Sequence, residues 1–214
     1  MPDVQSVNVA MVSTGSWTGN LGRSGIDKRP VGGRTRVRAG GIDGDTVCDR
    51  KHHGGLDRAV YAFAAADYAY WEQRLGRAFA PGSFGENLTV VGLDINAARL
   101  GDQWSIGTAL LEITAPRTAC RVFGGFLDVS DMVRQFTQHG RPGAYLRVLT
   151  EGDVGPGDEL RVVRQTDMMT VGDAFRAMTT DPSLLPRLAE AVEFLPTDVR
   201  VRTDRRLARR PARS

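Results

Sequence analysis

Cysteine, lysine and histidine are scarce in this chain, and each scarcity narrows the reading. Two cysteines in 214 residues, Cys48 and Cys120, cannot build a disulfide-dependent scaffold. No apolar run reaches the roughly 18 residues of a membrane-spanning helix. The start, Met1-Pro-Asp-Val-Gln-Ser6, lacks the basic segment and apolar stretch of a secretory signal, so a reducing cytoplasm is the expected setting. Several catalytic signatures are missing too. There is no Gly-x-Ser-x-Gly elbow for a serine hydrolase and no Gly-Lys-Ser/Thr phosphate loop. Cys48, His52, His53 and Cys120 offer zinc-type donors, but no pair has close metal-ligand spacing such as Cys-x-x-Cys. Pyridoxal phosphate binding is not expected either.

Lysine is limited to Lys28 and Lys51, so almost all positive charge is arginine. The net charge of +3 is unevenly placed. Residues 200–214 carry seven arginines and one acid, Asp204, which leaves the body with 21 basic and 24 acidic residues, at −3. Basicity is therefore a C-terminal property. A solvated helix end accounts for it more simply than a nucleic-acid surface, and no nucleic-acid partner is expected.

The hydrophobic content of 41% is enough to bury a core. Many short alternating or apolar segments read as strands: Val4–Val12, Thr35–Ala39, Val60–Phe63, Leu88–Val91, Gln103–Ile106, Ala109–Thr114, Gly143–Leu149 and Gly157–Val163. Gly107-Thr108 between two of them predicts a hairpin. Asp67–Leu75 and Val129–Gln138 read as helices, the second with Ser130 as its cap. Short strands separated by Gly, Pro and Asp turns predict a mainly β chain with added helices, closed as a barrel over residues 1–165. Beyond that the pattern becomes helical. Thr170-x-x-Asp173 is a capping pattern, and Asp181-Pro182 places a cap before a first-turn proline. Pro196-Thr197-Asp198 opens a third helix, so residues 166–214 read as a small three-helix C-terminal domain.

Three segments carry candidate chemistry. In Lys51-His-His-Gly-Gly-Leu-Asp57-Arg58, the paired Gly54 and Gly55 let backbone approach a ligand, while Lys51, His53 and Arg58 can hydrogen-bond an anion. In Pro81-Gly-Ser-Phe-Gly85-Glu86-Asn87, the Asn87 amide offers donors and an acceptor for a heterocycle edge. In Pro116-Arg117-Thr-Ala-Cys120-Arg121, a thiol lies just past a strand end between two guanidinium groups, a setting that favours the thiolate. Lys28 adds a further candidate phosphate contact. A buried, inert thiol and solvated basic turns are the plain alternatives for these segments.

Taken in order and spacing, His53-Gly-Gly-Leu-Asp-Arg-Ala-Val-Tyr61, Pro81-Gly-Ser-Phe-Gly-Glu-Asn-Leu88, Leu100-Gly-Asp102 with Ile106-Gly107, and Pro116-Arg-Thr-Ala-Cys120 resemble the MOSC family, named for the C-terminal domain of molybdenum-cofactor sulfurases. The likeness covers about residues 25–163, and the helical tail resembles that of YiiM-type members. The resemblance implies a MOSC-type β-barrel and a molybdenum cofactor (a molybdenum–molybdopterin) with Cys120 as metal ligand. It implies cofactor contacts from Lys28, Lys51, His53, Gly54, Gly55, Arg58, Gly85, Glu86, Asn87 and Arg117, and a detoxifying reduction of N-hydroxylated compounds such as 6-hydroxylaminopurine. Electrons would come from a separate flavoprotein. His53 and Asp57 are the candidate catalytic proton relays beside Cys120. A non-catalytic cofactor or sulfur carrier, with a persulfide on Cys120, is the alternative. The chain departs from the commoner His-Gly-Gly-Pro form at Leu56.

Overall fold

The computed structural model describes residues 1–209, so Arg210 and Arg213 of the arginine run lie outside the described residues. Eleven strands appear: β1 (Asp3–Ala10), β2 (Lys28–Pro30), β3 (Thr35–Arg38), β4 (Gly41–Ile42), β5 (Val60–Ala64), β6 (Leu88–Val91), β7 (Gln103–Ile106), β8 (Ala109–Pro116), β9 (Ala144–Thr150), β10 (Gly152–Val154) and β11 (Leu160–Arg164). Seven α-helices accompany them: α1 (Arg50–His53), α2 (Tyr68–Leu75), α3 (Arg121–Phe126), α4 (Met132–His139), α5 (Val171–Met178), α6 (Leu185–Glu190) and α7 (Thr197–Ala208). All eight expected strands are present within a few residues. The short pieces β2, β4, β10, α1 and α3 were not expected, because two to six residues carry too little periodicity to read.

The expected barrel does not form. Eight strands make one open mixed sheet in the order β11-β7-β8-β9-β5-β6-β1-β2, with β10-β3-β4 as a second small sheet. Between β1 and β11 the pairing is a single bridge, Asp3 to Glu159, with backbone bonds such as Leu160 N–H to the Pro2 carbonyl at 2.9 Å. All ladders are antiparallel except β5–β6. That parallel pair needs a long crossover, which residues 65–87 supply through α2 and the Gly-Ser-Phe-Gly-Glu-Asn loop.

Side-chain alternation along the central strands separates two cores. On β5, Val60, Ala62 and Ala64 enter a large aliphatic core, while Tyr61 and Phe63 enter an aromatic one. On β9, Ala144 and Leu146 face the first and Tyr145 the second. The aromatic core holds Phe63 stacked on Phe84 at 4.9 Å between centroids, with Trp71, Phe123 and Phe136 around them. Burying each such side chain contributes about 1.5–3 kcal/mol, so this layer fixes the backbone under the loops that follow β5 and β8.

At α4 the N-cap position falls on Asp131 rather than Ser130, and no side chain caps the helix. The C-terminal capping signals act as expected. Thr170 accepts from the Asp173 N–H at 3.1 Å, and Asp181 accepts from the Ser183 N–H at 3.1 Å. Val171, Ala174, Leu188, Leu195 and Val199 of this segment belong to the same aliphatic core as the sheet. Among the described residues no helix is long and apolar enough to cross a membrane.

Candidate active site

A cleft of about 670 Å3, counted with its open mouth, lies over the aromatic face of the sheet. Lys28, His53, Arg58, Gly85, Asn87, Arg117 and Cys120 all line it. Segments 60 and more residues apart in sequence are therefore brought together. Cys120 stands at the N-cap position of α3, directly after β8 and its short exit loop.

Arg117 is the most unusual member. It is buried at 3% exposure, has no carboxylate partner among the described residues, and its Nη1 has no hydrogen-bond partner. Its guanidinium lies over the rings of Phe123 at 4.4 Å, Tyr61 at 5.2 Å and Phe136 at 5.7 Å. Ring faces stabilise a cation only partly. A buried, unpaired guanidinium aimed at a cleft is therefore primed for an anionic ligand. Gly85 stands close by with φ +79°, where a Cβ would meet Ile26 at 3.1 Å, so the loop needs glycine to pass here.

His53 ends α1, whose N-cap Asp49 accepts from the His52 N–H at 3.2 Å. Its Nδ1 is 3.0 Å from the Tyr145 hydroxyl. Burial, then the positive charge of Arg117, pushes the imidazole down to about 4, so it is neutral at neutral pH. Burial likewise raises the Tyr145 phenol, with Arg117 and Arg58 opposing. Arg58 lies 5.9 Å over the Tyr145 ring and is held by Asp198 of α7 through bonds of 2.7 and 2.9 Å.

Lys28 and Asn87 share a partner. Both donate to the buried carboxylate of Asp45, Asn87 Nδ2 at 2.8 Å, and the Ala10 N–H joins them at 2.9 Å. Burial lowers the Lys28 pKa while Asp45 works against that shift. Asn87 also donates to the Asn8 carbonyl at 3.2 Å and accepts from the Tyr61 N–H at 3.1 Å. Both donors of its amide are thus used by protein, and it ties the loop to β1 and β5 instead of presenting free donors to a heterocycle.

The remaining expected residues lie off the cleft wall. Glu86 is fully buried below it, accepting from the N–H groups of Gly82 at 2.7 Å and Phe84 at 3.1 Å and from the hydroxyls of Thr89 at 2.9 Å and Tyr68. It holds the loop in shape. Lys51 is exposed on α1. Gly55 turns the chain at φ +94°, and Gly54 packs against Arg50. Asp57 faces Arg147 at 3.3 Å, and its carbonyl accepts from the Thr114 hydroxyl at 2.6 Å, which places it outside the lining. Conversely Asp45, Tyr145 and Asp198 lie in none of the three candidate segments, Tyr61 ends the His-Gly-Gly segment without being singled out, and Cys48 lines the cleft although no motif contains it.

The family model for the MOSC domain matches residues 49–161. The uncharacterized protein YflK of Bacillus subtilis is 35% identical over 160 residues, covering 75% of this chain and 72% of that protein. A reductase of Gibberella moniliformis is 26% identical over 206 residues, 90% of this chain but 35% of the longer protein. The crystal structure of YiiM from Geobacillus stearothermophilus superposes with a TM-score of 0.80 at 28% identity, covering 97% of this chain and all of that one. Sequence and architecture agree: the chain belongs to the MOSC domain family.

Proposed function

We propose that this protein is a molybdenum-cofactor-dependent reductase of N-hydroxylated compounds, of which 6-hydroxylaminopurine is an example. MOSC membership supports a molybdenum-cofactor-associated role. The observation that carries the reading is the buried, unpaired Arg117 sharing a cleft with the thiol of Cys120. The donor set fits the cofactor. A soft thiolate suits molybdenum, and Arg117, Lys28 and Arg58 suit the anionic pterin phosphate. When bound, the cofactor supplies two-electron oxygen-atom chemistry.

The reaction breaks one N–O bond and forms an N–H bond. It consumes two electrons and two protons and releases water. In this reading Cys120 holds the metal and Arg117 balances negative charge on the bound group. His53, neutral and joined to the Tyr145 hydroxyl, would pass a proton in this reading, which that contact supports. Asp57 is left without that role, since it faces Arg147. The electrons come from a separate protein donor, a flavoprotein in the family resemblance.

The test is reduction of 6-hydroxylaminopurine by protein made in a cofactor-competent host, with a chemical electron donor and Cys120→Ala alongside. Turnover and bound molybdenum are both expected, and both are expected to disappear in Cys120→Ala. Full molybdenum-dependent activity in the mutant would remove Cys120 from its role. Bound molybdenum without turnover, with an extra sulfur on Cys120 by mass spectrometry, would favour a carrier instead.

A further inference from the structure

Two consecutive residues beside the cleft are tied to the C-terminal segment, which lies outside the residues that the family model matches. The 3-10 turn Leu56–Arg58 carries both, Asp57 and Arg58. Asp57 faces Arg147 at 3.3 Å, and Arg147 also donates to the Phe194 carbonyl. Arg58 donates through Nη2 to both oxygens of Asp198, at 2.7 and 2.9 Å. Phe194 and Asp198 are four residues apart, so one short stretch of chain holds two neighbouring side chains of the turn. That stretch is itself fixed, because Leu195 and Val199 are buried in the aliphatic core.

An acid in the first turn of a helix has a simpler role, because the positive end of the helix dipole favours it. Asp198 does more than that, since its carboxylate accepts from Arg58 and not from the N–H groups of α7. Arg202 approaches the same carboxylate at 3.6 Å, but its side chain is 56% exposed, and such surface pairs contribute little. The Arg58 side chain is only 10% exposed and lines the cleft. Its Nε and Nη1 have no hydrogen-bond partner among the described residues. Holding a long arginine side chain restricts its rotamers, and a donor fixed beforehand costs less to engage when a ligand arrives.

Resting on the reductase reading, we propose that Asp198 is a positioning residue for the cofactor. By holding Nη2 it fixes Arg58 on the cleft wall and leaves Nε and Nη1 for the anionic phosphate of the bound group. The C-terminal helices are then part of the site, through a carboxylate that does not itself touch the ligand. The sign of the effect separates this role from a purely electrostatic one. A carboxylate beside an anion site repels the anion, so its charge alone weakens binding and its removal would tighten it. Removal of a positioning carboxylate weakens binding instead.

The test titrates inorganic phosphate into the cofactor-free, full-length chain by calorimetry. Asp198→Ala is expected to bind phosphate about tenfold more weakly than the wild type, the effect of losing a hydrogen bond to a charged group. Asp198→Asn keeps an amide oxygen that accepts from Arg58 and is expected to recover most of that affinity. In an Arg58→Met background, Asp198→Ala is expected to have no further effect, because the two residues act as a unit. Asp204→Ala removes an exposed acid from the same helix and is expected to bind as the wild type does. Molybdenum retained by the same variants, made in a cofactor-competent host, is expected to follow the same order. Tighter phosphate binding by Asp198→Ala, an equal loss in Asp198→Asn, an undiminished effect in the Arg58→Met background, or no saturable binding by the wild type would overturn the assignment. The titration involves no molybdenum and no turnover, so its failure is separable from failure of the reductase reading.

Discussion

The Nδ1 of His53 and the hydroxyl of Tyr145 are 3.0 Å apart and join α1 to β9 at the cleft wall. Burial and the nearby Arg117 keep the imidazole neutral, with a pKa of about 4 against an ordinary value near 6.5. As pH falls, the unfolded chain takes up this proton before the folded one does. The stability tied to neutral His53 is therefore complete above about pH 6.5 and is lost between there and pH 4, by about 3 kcal/mol at most. Urea midpoints measured across that range should drop more steeply for the wild type than for His53→Gln. Parallel curves would mean that the imidazole titrates normally.

Arg117 predicts opposite effects on folding and loading. Its guanidinium is desolvated without a carboxylate, which weighs against the empty protein. Arg117→Met keeps much of the volume and removes the charge. The melting temperature of the cofactor-free variant should equal or exceed that of the wild type. Molybdenum retained on purification should fall at least about tenfold, as expected when a charge-assisted contact is lost. A variant that melts several degrees lower while retaining metal would make Arg117 a structural residue.

The C-terminal helices predict the result of truncation. Val171, Ala174, Leu188 and Leu195 sit in the same aliphatic core as the sheet, and Arg147 donates to the Phe194 carbonyl. A chain ending at residue 167 would lose that cover and expose the sheet face. It should show no sharp thermal transition and weakened near-ultraviolet circular dichroism. A cooperative transition close to that of the intact chain would mean that residues 1–167 are self-sufficient.

The fold was legible where periodicity was strong. β6 lies where Leu88–Val91 was expected, and Thr170 caps α5 as its spacing indicates. Closure was not legible. Strand patterns fix which face is buried, but an open sheet covered by helices buries the same residues as a barrel. Within the cleft, Cys120, Arg117 and His53 could be found because motifs hold them at strand and helix ends. Asp45 could not, since it stands in the turn Asp43-Gly44-Asp45 and gains meaning only when Lys28 and Asn87 converge on it. Glu86 was found but assigned to the ligand, because a sequence does not say which side of a loop a carboxylate faces.

The pair of Arg58 and Asp198 joins residues 140 positions apart. During synthesis, Arg58 leaves the ribosome long before its partner has been made. Until then its guanidinium lacks the carboxylate to which its Nη2 donates. If the protein takes up the proposed cofactor, a nascent chain would present it with an unfinished wall until α7 had been made.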